Sequence, residues 1–482
     1  MTEYEAVIGL ETHIQLNTTT KIFCSCKADS WVDPPNTNIC PVCTGLPGVL
    51  PVLNKAVVEK GVLLAEAMRA EINPLSFFDR KNYFYPDLPK GYQISQFDQT
   101  LAKGGYIDIP IPDEQKSYTR RVTIHNMHLE EDAGKTKNLK DRRWIDFNRC
   151  GVPLIEMVTG PDLRSANEAA QYLIRLRQLL RWLDISEADM EKAHLRCDAN
   201  VSIRPKGAVY LNPKTEIKNV NSIDAVKDAI EKEIERQIRE VEAGNKIQAW
   251  TLEWDEDAGV LRKMRSKETE ADYRYFREPD LLPVRLDEPW KKAILEHFPE
   301  RPLDRRKRFA EQYALPDYDA DILTGERALS DYFETAIKAY GGDPKRVSNY
   351  LMNEVLRMLN ETGRTANQLR LTPVYLAEIL KLVDSGTINT STGKNLLAKV
   401  EETGKAPGVI VADEGLAKVS DDSAIRTICQ QVLQESPNEA AAYRSGKVTL
   451  MGWFVGQVMK AMRGKADPQI ARTIMEELLN EK

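Results

Sequence analysis

The sequence predicts an α+β protein: a domain built on an antiparallel sheet, then a helical domain, then a small helical tail domain. Three observations carry this. The stretch 195–204 alternates without a break. Leu195, Cys197, Ala199, Val201 and Ile203 fall on one side, and Arg196, Asp198, Asn200, Ser202 and Arg204 on the other. A period of two is an extended strand with one packed face. Further strand-like segments, separated by helical ones, recur up to Arg285. From Glu288 onward the texture changes to helical stripes such as DYFETAIKAY and VSNYLMNEVLRMLNETG.

A chain of 482 residues is long enough for two to four domains. The texture divides it at 1–290, 291–408 and 409–482. Hydrophobic content of 42% and charged content of 29% fit an ordinary globular protein. No apolar run approaches bilayer length, and MTEYEAVIGL lacks the basic start of a signal peptide. A cytoplasmic protein without a membrane partner is expected. The net charge of −6 argues against wholesale nucleic-acid binding, yet basic charge is segregated near the end. Arg444, Lys447, Lys460, Arg463, Lys465 and Arg472 face one acid there, Asp467.

In chain order, YEAVIGLETHIQL (4–16) reads as a strand with Glu11, His13 and Gln15 on one side. Cys24-Ser-Cys26 and Cys40-Pro-Val-Cys43 follow, thirteen residues apart. Two close thiol pairs at such a spacing suit a tetrahedral, structural Zn²⁺ with no open position. The seven cysteines are odd in number, which disfavours a disulfide framework; Cys197 sits on a packed strand face. Residues 55–71 form an apolar-striped helix. FDRKNYFYPDLPKGYQISQ (78–96) is too polar and broken for a core element and reads as an irregular functional loop. Its Tyr83 and Tyr85, interleaved with Arg80, Lys81 and Lys90, suit a nucleotide or an RNA end; packing under a loop is the alternative. Residues 118–135 are a strand running into an acidic turn with His128, Glu130, Glu131 and Asp132. Residues 144–165 are strand–turn–strand, presenting Asp146, Asn148, Arg149 and Glu156. Ser165 caps a helix to about Leu183, with Glu168 in capping-box register. Lys214, Glu216, Lys218, Asn219 and Asn221 lead into a helix from about Ile223 to Ala243.

Carboxylates therefore recur on strands of the first domain: Glu11, Glu130, Glu131, Asp146, Glu156 and Asp198, with His13 and His128. If the strands share one sheet, several meet. Clustered carboxylates repel unless a cation holds them, and oxygen ligands with one imidazole suit Mg²⁺ shared with phosphate. That points to phosphoryl transfer. A charged surface scattered over separate strands is the alternative. No P-loop, kinase glycine loop or hydrolase elbow is present, so an ATP site is of another design and ammonia must come from elsewhere.

GLETHIQL, CPVCTGLPG, FDRKNYFYPDLPKGYQISQ, HLEEDAGK, DFNRCGVPLIEMV, LRCDANVSIR, MRSKETEADYRYF and GWFVGQVMKAMRGKA, in this order along the whole chain, resemble the B-subunit family of the aspartyl/glutamyl-tRNA amidotransferases. The resemblance implies a catalytic "cradle" domain, with helical and tail domains that bind tRNA. It implies a heterotrimer with a larger amidase partner (the A subunit) and a small C subunit. It implies that ATP and Mg²⁺ are used to phosphorylate the side chain of Glu-tRNA(Gln) or Asp-tRNA(Asn), which tunnelled ammonia then amidates. Carried over residue by residue, the metal set is Glu11, His13, Glu130, Glu131, Glu156 and Asp198, and the zinc set Cys24, Cys26, Cys40 and Cys43. Glu11, His13, Glu131, Asp198 and Arg196 are the expected catalytic groups. Arg80, Lys81, Tyr83, Tyr85, Asn148, Asn200, Ser202 and Arg204 are expected to hold substrate, and Lys447, Lys460, Arg463 and Lys465 to hold tRNA. A non-catalytic tRNA scaffold is the competing expectation. Gly160 stands where many members carry an acid, and Arg277 where proline is frequent.

Overall fold

A computed structural model describes residues 3–113, 116–138, 141–266, 273–417, 422–462 and 466–480. Two compact units emerge, Met1–Leu303 and Asp304–Lys482.

A ten-stranded sheet forms the frame of the first unit. Its principal strands are β1 (Tyr4–Gln15), β2 (Tyr118–Glu131), β3 (Pro153–Thr159), β4 (Leu195–Pro205), β5 (Thr215–Val220), β6 (Trp250–Asp255) and β7 (Val260–Ser266). They lie in the order β7-β6-β5-β4-β1-β3-β2, followed by the short strands 102–103 and 71–72, while Tyr106–Ile111 pairs separately with β2. Every pairing is antiparallel except β5 with β6. The expected antiparallel α+β architecture thus holds, with one parallel step.

Alternation makes the sheet two-faced. Leu10, Ile14, Leu129, Ile155, Met157, Leu195 and Cys197 point to one side and are buried. The same cluster takes Val58 and Val62 of helix α1 (Lys55–Ala67), Leu173 and Leu176 of α2 (Ala166–Trp182), and Val226 and Ile230 of α3 (Ile223–Glu242). Burying a large apolar side chain contributes about 1.5–3 kcal/mol, so this face fixes which residues are left facing outward. The start of α2 is capped as expected, Glu168 N donating to Ser165 Oγ at 3.2 Å. The reciprocal half differs: the Glu168 carboxylate accepts from Arg164 N at 2.7 Å, Tyr118 Oη at 2.7 Å and Arg120 at 2.8 Å.

The 78–96 stretch corrects the sequence reading. It contains two strands, Asp79–Asn82 and Tyr92–Ser95, forming a small sheet with Phe276–Arg277. Its polarity is absorbed by ion pairs: Arg80 grips Glu278 through Nε at 2.7 Å and Nη2 at 2.9 Å. The helix Glu288–Leu295 belongs to the first unit, since Trp290, Ile294 and Leu295 pack on its core and Trp290 Nε1 donates to Glu59 at 3.0 Å. The second unit is helical, with two separate apolar cores, one from Phe309 to Val411 and one from Ile425 to Leu479. No helix among the described residues is long and apolar enough to cross a membrane.

Candidate active site and metal centre

The outward face of the sheet gathers its polar groups by register. Across β4, β1, β3 and β2, one row of directly opposed residues runs Arg196, His13, Glu156, His128. In the neighbouring row Asp198 lies opposite Glu11. Glu130, two residues beyond His128 on β2, shares that face. His13 is the hub. Its Nε2 lies 3.4 Å from Glu156, 3.8 Å from Glu130 and 3.9 Å from Glu11. His128 Nε2 lies 3.2 Å from Glu156 and 3.7 Å from Glu130. Two ligand sets share His13: Glu11, His13 and Asp198, and His13, Glu130 and Glu156. The ligand atoms within each set lie within 4.8 Å of one another.

The charges are mutually frustrated. Burial, then repulsion from Glu156, pushes Glu11 up to about 7. Burial alone would depress His128, but Glu156 and then Glu130 outweigh it and raise it to about 10. Burial would raise Glu156, yet His128 and His13 hold it well below the ordinary carboxylate range. Two imidazoles are thus held toward their cationic forms among acids, doing the neutralising that a metal ion does better. The residues fit a hard divalent cation: mainly oxygen donors and one shared imidazole.

A cleft of about 470 Å³ opens over this face, lined by His13, Glu130, Arg196 and Lys218 among others. Lys81, Tyr83, Tyr85 and Tyr273 form its aromatic and cationic wall. Tyr83 stands edge-on to Tyr85 at 5.8 Å and to Tyr273 at 6.1 Å. Lys81 Nζ lies 4.8 Å over the Tyr273 ring. Burial would lower Lys81, but Glu130, Tyr275 and Glu156 raise it, so it stays charged. Arg196 reaches Asp132 at 3.0 Å.

Other expected site residues lie elsewhere. Glu131 follows Glu130 on the same strand, so alternation turns it away from the metal sets. There it pairs with Lys90 and accepts from Ile94 N at 2.9 Å, lining a separate cavity of about 210 Å³. Asp146 caps the turn Phe147–Arg149 and accepts from Asn36 N at 3.0 Å. Asn148 is buried against 34–38, donating to Pro34 O at 2.8 Å. Arg80 is committed to Glu278. Asn200 and Ser202 lie on β4 opposite Gly9 and Val7, beyond the acid rows. Ser202 Oγ donates to Pro213 O at 3.1 Å, and Arg204 Nε to Glu5 at 2.6 Å. Lys447 and Lys460 are exposed on the second unit; Arg463 and Lys465 lie outside the described residues. Lys218 was missed as a site group. Its Nζ reaches Asp198 at 2.5 Å and Glu216 at 3.5 Å. Only its alternation with Glu216 near the acid strand hinted at it. Gly160 leaves no room for the acid many relatives carry, since a Cβ there would sit 2.2 Å from Thr123 Oγ1. Arg277 pairs with Asp79 at 2.8 Å and Asp98 at 2.7 Å.

The four cysteines Cys24, Cys26, Cys40 and Cys43 converge, their sulfurs within 4.8 Å of one another. Cys40 N donates to Cys43 Sγ at 3.2 Å, the tight turn expected of a knuckle. The Cys24 thiol and the Cys40 amide, with Lys21 nearby, pull Cys43 down to about 4 against the effect of burial. This donor set fits a closed tetrahedral metal.

Two family models match the chain: the GatB/GatE catalytic domain over residues 6–292 and the GatB domain over 331–479. The chain is 48% identical to the aspartyl/glutamyl-tRNA(Asn/Gln) amidotransferase B subunit of Thermodesulfovibrio yellowstonii, covering 99% of this chain and 100% of the relative. It is 47% identical to the protein of that name from Persephonella marina, at 99% and 100% coverage. Against that from Crocosphaera subtropica it is 46% identical, at 99% and 98%.

Proposed function

The chain belongs to the B-subunit family of the aspartyl/glutamyl-tRNA(Asn/Gln) amidotransferases, and from that premise we propose that it is the ATP-using, amide-forming member of such an enzyme. The observation that carries this is the pair of opposed rows, Asp198–Glu11 and Arg196–His13–Glu156–His128, at the floor of one cleft.

A carboxylate is a poor electrophile, so it is activated first. A side-chain oxygen of Glu-tRNA(Gln) or Asp-tRNA(Asn) attacks the γ-phosphorus of ATP, and the bond to the ADP oxygen breaks. Ammonia then attacks the acyl carbon, phosphate leaves, and the nitrogen gives up a proton. Glu11, His13, Glu130, Glu156 and Asp198 would hold Mg²⁺, which when bound neutralises and orients phosphate oxygens. Lys81 and Arg196 line the cleft as cations for the transferred charge. Tyr83, Tyr85 and Tyr273 offer stacking faces for a purine of ATP or of the tRNA end. The chain has no nucleophile elbow of its own, so ammonia comes from a glutamine-hydrolysing amidase partner, with a small third protein completing a heterotrimer. Cys24, Cys26, Cys40 and Cys43 hold a structural Zn²⁺. Residues 409–482 engage tRNA, Lys447 and Lys460 among the contacts.

The test is ATP cleavage by the assembled complex carrying an inactive glutaminase, with and without misacylated tRNA. tRNA-dependent ADP release supports the reading; its absence favours a tRNA-binding scaffold.

A further inference from the structure

Lys21 is fully buried, at 0% exposure, the largest buried side chain after Tyr172. Its ammonium donates to Asn38 O at 2.9 Å and lies 3.7 Å from Cys43 Sγ. No carboxylate of the described residues lies within ion-pairing distance of it. A buried ammonium without a counter-charge is costly, and neutral thiols supply none. Thiolates do. Four of them around Zn²⁺ carry a net charge of −2, which a single lysine halves.

The surrounding backbone is built to bring the two together. Lys21 N donates to Cys26 O at 2.8 Å, which ties the lysine to the first thiol pair. Ile22 N donates to Gly151 O at 2.9 Å, and Gly151 N donates to Asp132 O at 3.0 Å. Gly151 has φ +77°, and a Cβ there would meet Cys43 Cβ at 3.3 Å and Lys21 Cδ at 3.6 Å. Glycine therefore lets the lysine stem lie against the knuckle, and the same segment leads to Asp132 at the cleft.

We propose that Lys21 is a positioning residue of the four-cysteine site, a built-in counter-cation that hydrogen-bonds the Cys43 thiolate and makes the site retain its metal. This rests on the zinc reading above. Loss of the metal strands the buried ammonium, and loss of the ammonium destabilises the thiolates.

The experiment uses the full-length chain in its complex, as wild type and as Lys21→Gln, Lys21→Met and Lys21→Arg. Zinc content is measured, then the rate of zinc transfer to a chromogenic chelator. Wild type is expected to hold one zinc per chain. Gln and Met variants are expected to release it at least about tenfold faster, the low end of what losing an outer hydrogen-bond partner costs a metal site. Arg should lie nearer wild type. Release rates of wild type and Gln within about twofold would overturn the proposal while leaving the zinc reading intact; wild type without zinc would overturn both. Should the Met variant fail to fold, amine acylation mapped by mass spectrometry on wild type provides a second readout. Lys21 should be protected in the zinc-loaded protein and labelled once zinc is stripped. Equal labelling in the two states would also overturn it.

Discussion

Glu156→Gln separates a metal site from a merely structural ion cluster. Glu156 is the anion shared by His13 at 3.4 Å and His128 at 3.2 Å. At an effective dielectric near 20, each such contact is worth about 5 kcal/mol of gross attraction. A divalent cation at a ligand distance of about 2.1 Å interacts with the same carboxylate at about 16 kcal/mol, some threefold more. In the metal-free protein the lost attraction to two imidazoles is partly offset, because the substitution also removes the repulsion that raises Glu11. The expected signature is therefore asymmetric. Mg²⁺ or Mn²⁺ affinity should fall by ten- to a hundredfold or more, about 1.4–3 kcal/mol after ion dehydration. Metal-free stability should shift by only about 1 kcal/mol. Titration calorimetry with Mn²⁺ and urea unfolding of the same preparation read the two quantities. A large loss of metal-free stability with unchanged metal affinity would refute the reasoning.

Three more outcomes follow from named contacts. Arg80→Ala strands the fully buried Glu278 carboxylate, so urea unfolding should show a loss of about 3–5 kcal/mol; a loss under about 1 kcal/mol would mean that the pair is not structural. Glu334 is held below its ordinary 4.5 because Arg308 and Arg305 outweigh the opposing effect of burial, so its contribution is present above 4.5 and lost as pH falls through the lowered folded value. Glu334→Gln should cost on the order of 1 kcal/mol near neutral pH, and urea midpoints of variant and wild type should converge in acid; a constant gap down to acid pH would contradict the sign. Replacing Lys447 and Lys460 with Ala should weaken tRNA binding and reduce the slope of log Kd against log salt by up to about 0.9 per lost phosphate contact. Filter binding at several salt concentrations measures it, and an unchanged slope removes both residues from the interface.

How much the sequence disclosed depends on whether the partner of a residue is local. The alternation of 195–204 announces its own strand, because the period of two is contained in ten residues. That Glu11, His13, Glu156 and Asp198 meet was a conditional statement until register placed them opposite one another. Register is a property of strand pairs, not of single strands. Glu130 and Glu131 show the limit sharply. Both acids looked eligible, but β2 runs to Glu131 without a break, so only one of two neighbours can face the cleft. Arg80 looked free for substrate, yet its partner Glu278 lies 198 residues away. The short strands at 79–82 and 92–95 escaped because their residues are polar and their stability comes from pairing with each other and with 276–277. The four cysteines were legible because thiol spacing is itself the signal; Lys21 beside them was not, since nothing in a sequence marks a lysine for burial.

The central claim is that the acid–histidine floor of the cleft performs the activation that precedes amide formation. The most direct measurement is amide product from Glu-tRNA(Gln) or Asp-tRNA(Asn) in the assembled complex, with glutamine hydrolysis followed in parallel, for wild type, Glu11→Ala and Asp198→Ala. The account predicts that both variants keep glutamine hydrolysis and lose ADP and amide formation together. Full amide yield from either variant would contradict it.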